Sequence, residues 1–353
     1  MPVAKYTDIA DQLKREILAG RYEGGKPFPS GGQLAKRFSV SRPTINRVML
    51  DLRLGGFLKT RSGCAPRLTR FAQNATGTLG VIHPGFQYGD VLSHICRSLA
   101  RYGEQLGWDI VLIEMKEREA EKRLQELVGA VRQFSDERVA GLFLQPFEYL
   151  VRNDAAANAF WHELSSFKTP IVLLDYDPLP AESRQRYDLV CMDNFSAGLA
   201  LGRALIGRGI KKISFFMKEG SPPSVLDRMR GVAGSVIESS GVWNGIDNIL
   251  SCGIGEVRAV SRFMKTKSPE AIICGNDITA VQLHETIVRA GLAGTVKLAG
   301  FDDQAEAAGL NITSVVQPVE EIARVALKTM IGRLQDPTMP ICKVQMRHRG
   351  IVR

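Results

Sequence analysis

From Leu79 to Phe301 the chain repeats one unit: a short, almost wholly apolar run, then an amphipathic segment of helical length. The runs are LGVIH (79–83), IVLI (110–113), GLFLQ (141–145), IVLLD (171–175), LVCMD (189–193), ISFFM (213–217), AIIC (271–274) and KLAGF (297–301). Runs this apolar suit strands buried on both faces. The segments between them, near 90–106, 118–134, 155–167, 195–208, 225–240, 255–266, 277–290 and 320–334, suit covering helices. The alternation predicts an α/β fold of right-handed crossover units, with parallel sheets shielded on both faces. A chain of 353 residues exceeds one compact core, so two or three folding units are expected.

Ligands of such sheets bind beyond the carboxyl ends of the strands, which directs attention to the residues that follow the runs. These are His83, Gly85, Phe86, Gln87 and Tyr88 after the first, then Gln145, Asp175, Asp193 with Asn194, Asn276 with Asp277, and Asp302 with Asp303. Carboxylates, amides and flat aromatic faces together suit a polyhydroxylated ligand, because planar acceptors grip neighbouring hydroxyls while a ring covers the apolar sugar face. Asp and Asn at strand ends also serve as helix caps and turn formers, and that reading competes at each position.

The first 70 residues have a different pattern. In PSGGQLAKRFSVSRPTINRVMLDLRLGG (29–56), Ser30 is placed to cap a short helix carrying Leu34, Ala35 and Phe38, and Ser39 and Val40 fit a tight turn. Ser41 is placed to cap a second helix, Pro43 is tolerated in its first turn, and Ile45, Val48, Met49 and Leu52 recur on one face. The opposite face carries Arg42, Thr44, Asn46, Arg47 and Arg53. Arg reads guanine, Asn reads adenine and hydroxyls bind phosphate, so this is a helix for the major groove, or else a solvated basic surface helix. Charge supports the first. Residues 1–70 hold 14 Lys and Arg against 5 Asp and Glu, which leaves 32 of each in 71–353, so the whole excess of +9 lies on this head.

Tyr6, Ile9, Leu13, Ile17, Gly20, Tyr22, Gly25, Pro29, Ser30, Leu34, Ala35, Phe38, Val40, Ser41, Arg42, Thr44, Leu52, Gly56 and Phe57 resemble, in register and without a gap, the winged-helix domain of the GntR family. The resemblance implies a DNA-binding head over 1–70, with Ser41, Arg42 and Thr44 touching DNA and a wing, KTRSGCAPR (59–67), reaching the minor groove. The candidate DNA contacts are Ser30, Ser41, Arg42, Thr44, Asn46 and Arg47, with Arg61 and Gly63 from the wing. Gly32, Asn46 and the Gly63-Cys64-Ala65 wing depart from the family pattern, so no operator sequence carries over.

Past a polar linker at 71–76, VCMDNFSAGLALG (190–202), DRMRG (227–231), IICGNDITA (272–280), LAGFDD (298–303) and TSVVQPVE (313–320) resemble, in order, the effector domain of LacI/GalR repressors. That implies a periplasmic-binding-protein-like domain over 77–353. Its N-lobe is expected at about 77–176 and 304–334, its C-lobe at about 177–303 and 335–353. The implied effector contacts are Asp175, Asn276 and Asp302, with Arg228 shaping the site and His83, Phe86, Tyr88 and Gln145 lining the cleft. Together the two resemblances are those of AraR-type regulators. They imply a homodimer on double-stranded operator DNA and a monosaccharide or sugar derivative as effector, with sugar releasing the DNA.

Other classes find less in the sequence. Cys64, Cys96, Cys191, Cys252, Cys274 and Cys342 are widely spaced, without the pattern of a zinc site, redox pair or disulfide framework. The five His are scattered, and no HExxH, Gly-x-Ser-x-Gly or Walker loop occurs, so neither catalytic residues nor a metal or other cofactor is expected. The start, MPVAKYTDIADQLK, lacks the apolar core of a signal peptide, and the expected location is the cytoplasm, without membrane contact. The alternatives are a GntR head on a pyridoxal-phosphate aminotransferase-like body, and a sugar receptor without DNA function. If the charge of the head acts through phosphates, DNA affinity should fall about 10³-fold or more between roughly 50 and 200 mM salt. Gel shifts across that range test this, and a flat dependence would contradict it.

Overall fold

The computed structural model describes residues 6–18, 21–22, 28–54, 57–59, 65–68, 77–83, 85, 90–117, 119–146, 155–167, 169–177, 187–218, 220–240 and 243–353. The head is built from helices α1 (Tyr6–Leu18), α2 (Gly31–Phe38) and α3 (Arg42–Leu54), and from an antiparallel pair, β1 (Leu58–Lys59) and β2 (Arg67–Leu68). Ile9, Leu13 and Ile17 of α1 meet Leu34 of α2 and Ile45, Val48 and Leu52 of α3 in one apolar core, as their spacing predicts.

The body contains two six-stranded sheets. The first orders β13-β7-β6-β5-β3-β4, with β3 at Thr78–His83, β4 at Asp109–Glu114, β5 at Gly141–Leu144, β6 at Ile171–Leu174, β7 at Asp188–Met192 and β13 at Lys343–Met346. The second orders β14-β12-β11-β10-β8-β9, with β8 at Ile213–Met217, β9 at Ile249–Ser251, β10 at Ala271–Cys274, β11 at Lys297–Phe301, β12 at Thr313–Val316 and β14 at Gly350–Val352. The central strands are buried along their whole length, which is why they read as unbroken apolar runs. The covering helices are α4 (Asp90–Leu106), α5 (Ala120–Asp136), α6 (Ala155–Ser166), α7 (Asn194–Gly207), α8 (Pro223–Ser240), α9 (Val257–Lys267), α10 (Asp277–Arg289), α11 (Ala305–Gly309) and α12 (Val319–Gln335). Among the described residues no helix is long and apolar enough to cross a membrane.

The expected lobe boundaries are corrected in three places. Residues 188–192, expected in the C-lobe, form β7 beside β6 in the first sheet. Residues 313–316, expected in the N-lobe, form β12 beside β11 in the second. Residues 343–346, expected in the C-lobe, return as β13 beside β7. The chain therefore crosses between lobes after β7, after β12 and after β13. The sheets are also not wholly parallel, since β14 runs antiparallel to β12. A strand of three residues closing an edge needs no crossover helix and leaves no helical period to find.

Helices α7 and α8 approach more closely than side chains allow. A Cβ on Gly198 would lie 2.0 Å from the carbonyl oxygen of Arg228, and one on Gly231 would lie 2.0 Å from that of Phe195. The glycines of the 198–202 stretch thus serve packing, as their position inside a helix predicts. Gly198→Ala should destabilise the protein by roughly 1–3 kcal/mol, because backbone rather than a flexible side chain must give way. Urea denaturation measures this.

Candidate functional site

The described part of the candidate DNA-binding surface is the start of α3. Ser30 caps α2 through a reciprocal box: its Oγ accepts from the Gln33 amide at 3.4 Å while the Gln33 side chain accepts from the Ser30 amide at 2.7 Å. Ser39, in left-handed backbone at φ 52°, makes the turn. Ser41 Oγ then accepts from the Thr44 amide at 3.4 Å and lies 2.8 Å from Thr44 Oγ1. Arg42 and Asn46 project into solvent beside this hydroxyl pair. Arg47 is exposed as well, but its guanidinium rests over the Tyr6 ring at 4.3 Å, so it ties α3 to α1. Arg61 and Gly63 lie outside the described residues.

An ion cluster holds this surface in place. Glu16 on α1 accepts from Arg37 of α2, from Tyr22 at 2.6 Å and from Arg21 at 3.0 Å. Hydrogen bonds from Arg37, which contributes most, Tyr22 and Gln12 hold the Glu16 carboxyl at about 2. Lys14 of α1 likewise meets Asp51 of α3 at 3.0 Å.

In the body, one cleft between the sheets is lined by His83, Gln145, Asp175, Arg228, Asn276 and Asp302. These are six of the eight residues expected there; Phe86 and Tyr88 lie outside the described residues. All but Arg228, which sits in the second turn of α8, occupy the end of a strand or the start of a helix, so sheet geometry brings them together. Asp175 and Asp302 follow β6 and β11 in positive-φ backbone, at 73° and 113°, a conformation that side chains rarely adopt. Arg228, on α8, is fixed by its Nε donating to Asn194 Oδ1 at 2.8 Å and its Nη1 donating to the Gly275 carbonyl at 2.7 Å. Its guanidinium covers the Phe301 ring at 4.6 Å, and Nη1 stands 3.9 Å from Asp302 Oδ1.

Burial pushes both carboxyls up, Asp302 to about 6, while the Arg228 cation pulls each back. Asp175 is further steadied by Ser224, whose Oγ donates to Oδ2 at 3.4 Å. His83 is driven below the ordinary imidazole value by burial, and its Nδ1 accepts from the Gly85 amide at 3.0 Å. That bond places the proton of the neutral ring on Nε2, 3.4 Å from Ser93 Oγ. The cleft is therefore rich in acceptors, with Gln145 Oε1 buried and unpartnered between them. A ligand that donates several hydrogen bonds satisfies it, and an acceptor-only anion does not.

Both readings of strand-end Asn and Asp occur. Asn276 lines the cleft and also caps α10, its Oδ1 accepting from the Thr279 amide at 2.8 Å. Asp193 caps α7 through Ser196, and Asp277 is buried beneath the cleft, accepting from Ser314 Oγ at 2.8 Å and from the Gln304 amide at 2.9 Å. Two cleft-lining polar residues, Ser224 and Gln317, went unpredicted, and Asn194, expected only as a strand-end residue, serves to anchor Arg228. Asn194 and Gln317 fall inside the quoted motifs, whereas Ser224 carries no signal beyond its place at the start of a helix.

Asp302 keeps its proton in the folded protein at pH values where the unfolded chain has lost it. Its contribution is therefore present below about 4 and is lost as pH rises through about 6. Relative to the parent, Asp302→Asn should gain stability between about pH 4 and pH 7. Denaturant midpoints at the two ends of that range measure the difference, and a constant difference would contradict this assignment.

Comparison with known proteins finds family matches in two stretches of the chain. Residues 5–65 match the bacterial regulatory proteins of the gntR family, and residues 203–353 match the periplasmic binding protein-like domain. The arabinose metabolism transcriptional repressor of Geobacillus stearothermophilus is 24% identical over 94% of this chain and 92% of its own length. Among solved structures, the transcriptional regulator CelR–cellobiose complex superposes with a TM-score of 0.64 at 16% identity, over 92% of this chain and 99% of that one. A LacI family transcriptional regulator from Enterococcus faecium with bound ribose superposes with a TM-score of 0.60 at 18% identity, over 78% of this chain and 97% of that one. A gntR-family helix-turn-helix domain is thus followed here by a periplasmic-binding-protein-like domain.

Proposed function

We propose that the chain is a sugar-responsive transcriptional repressor working in the cytoplasm, whose head holds operator DNA until a small carbohydrate enters the interlobe cleft. One observation carries the reading: a head with the entire charge excess and an exposed recognition helix is joined to a cleft where two buried carboxylates face one guanidinium. In the head, Arg42 and Asn46 read base edges, and Ser41 and Thr44 bind phosphate at the start of α3. Arg61 and Gly63 of the wing reach the minor groove. In the cleft, Asp175 and Asp302 accept from sugar hydroxyls, and Asn276, Gln145 and His83 complete the ring of polar groups. A homodimer places two heads on two half-sites and so multiplies the affinity of either.

The repressor and regulator names of the similar proteins support this reading, and none of the quoted ones names an enzyme. The match of residues 203–353 to a periplasmic-binding-protein-like domain supports this body over an aminotransferase-like one. A receptor without DNA function would have no use for the gntR-family head.

The test combines a thermal-shift screen of L-arabinose, D-ribose, cellobiose and sugar phosphates with gel shifts on the DNA upstream of the chain's own gene. Arg42→Ala should weaken specific DNA binding by about 10-fold or more while leaving the sugar-induced thermal shift intact. Asp302→Ala or Asn276→Ala should abolish the sugar response and spare DNA binding. Full operator affinity in Arg42→Ala, or a normal sugar response in both cleft variants, would overturn the respective assignments.

A further inference from the structure

Among the described side chains of the head, Leu50 is the one large hydrophobic group left exposed, with 49% of its surface open. The other apolar residues of the same stretch of α3, Ile45, Val48, Met49 and Leu52, are all buried in the head core. Successive residues of a helix turn by about 100°, so Leu50 lies about 20° from Pro43 and about 40° from Asn46, on the side of α3 that faces away from that core. The charged residues around it are engaged elsewhere. Arg47 rests over the Tyr6 ring at 4.3 Å, Asp51 meets Lys14 of α1 at 3.0 Å, and Arg53 Nε donates back to the Met49 carbonyl at 3.1 Å. Arg42, Asn46 and Leu50 thus form an exposed row, with one helical turn between neighbours.

A solitary exposed leucine on a protein surface needs no partner. This one continues the row of the two polar side chains that reach base edges, on the unit that carries the whole charge excess of the chain. Four residues of helix advance about 6 Å and stacked base pairs about 3.4 Å, so a helix that sets Asn46 on one base sets residue 50 about two base pairs further along the groove. The major groove displays one apolar group, the 5-methyl of thymine. A leucine laid on that methyl removes apolar surface of both partners from water. Laid on cytosine, it would cover the N4 donor and accept nothing from it.

We propose that Leu50 is a specificity-determining residue of the head: its side chain covers the 5-methyl of a thymine about two base pairs from the adenine held by Asn46. The proposal rests on the reading of α3 as the recognition helix. It adds a preference that no hydrogen-bonding side chain of the helix supplies.

The test uses the full chain and a synthetic duplex that the chain itself enriches from a randomised pool. Each thymine of that duplex is replaced in turn by deoxyuridine, which keeps the hydrogen-bonding groups of the base and removes only the methyl. The affinities of the parent, Leu50→Ala and the conservative Leu50→Met are measured on every duplex and read as double-mutant cycles. At one position, about two base pairs from an adenine whose preference is lost in Asn46→Ala, deoxyuridine should weaken the parent about three-fold or more. Leu50→Ala should bind the thymine and deoxyuridine duplexes there equally, and Leu50→Met should keep the methyl preference. A parent indifferent to every methyl, or a methyl preference undiminished in Leu50→Ala, overturns the proposal. A changed oligomeric state in Leu50→Ala with the methyl preference intact assigns the leucine to a protein contact and overturns it as well. In these cases the enriched sequence still supports the recognition helix, whereas a pool from which no sequence is enriched overturns that reading and the proposal with it.

Discussion

The Arg228 guanidinium is the charge around which the body is arranged. Asp175 and Asp302 lose their solvation at the cleft floor, and burial of that kind costs several kcal/mol per ion unless a counter-charge and hydrogen bonds compensate. Arg228 supplies the counter-charge, but only where its own donors are met by Asn194, by the Gly275 carbonyl and by the Phe301 ring. Its position depends in turn on the missing side chain of Gly198, which lets the backbone of α8 lie against α7 at the level of residue 228. A packing feature of two helices therefore sets the electrostatics of a site formed by both lobes.

In the head, charge is divided between structure and reading in a way that a count of cations conceals. Arg37 and Arg21 meet Glu16, Lys14 meets Asp51, and Arg47 lies over Tyr6. These cations still add to the field that attracts a polyanion, yet their geometry serves to hold α1, α2 and α3 together. Arg42 and Asn46, exposed at the start of α3, are the side chains left in position to reach base edges. The body carries equal numbers of acidic and basic residues, so it adds little to nonspecific attraction, and the salt-sensitive part of DNA binding is confined to the head.

Much of this was legible in the sequence because the informative residues are local and periodic. Buried strands read as apolar runs, Ser30 and Ser41 stand where helix starts need caps, and the strand-end rule collected His83, Gln145, Asp175, Asn276 and Asp302 from over 200 residues of chain into one cleft. What escaped was long-range pairing. β7 belongs to the first sheet because its partners are β6 and, from the far end of the chain, β13; nothing in residues 188–192 themselves says so. The roles of Asn194 and Gln317 escaped for the same reason, since each is defined by a hydrogen bond to a residue elsewhere, Arg228 in one case and Asp302 in the other. Asn276 shows the limit of a single-role reading, because its side-chain Oδ1 caps a helix while the same side chain lines the cleft.

The distribution of cleft residues between the sheets bears on how binding can do work. His83, Gln145 and Asp175 come from the first sheet, whereas Arg228, Asn276 and Asp302 come from strands or helices of the second. A sugar held by one group alone would bind equally well at any angle between the lobes and would shift nothing, however tight its binding. A sugar gripped by both groups favours the angle at which both reach it, and that difference in affinity is the whole of the energy available to alter DNA binding. Moving a population from 1:99 to 99:1 needs a differential of about 10⁴-fold, or roughly 5.5 kcal/mol. Hydrogen bonds to charged groups contribute about 1.5–3 kcal/mol each. Two to four such bonds that form only when the lobes close are enough, and Asp175 and Asp302, one from each sheet, are placed to make them.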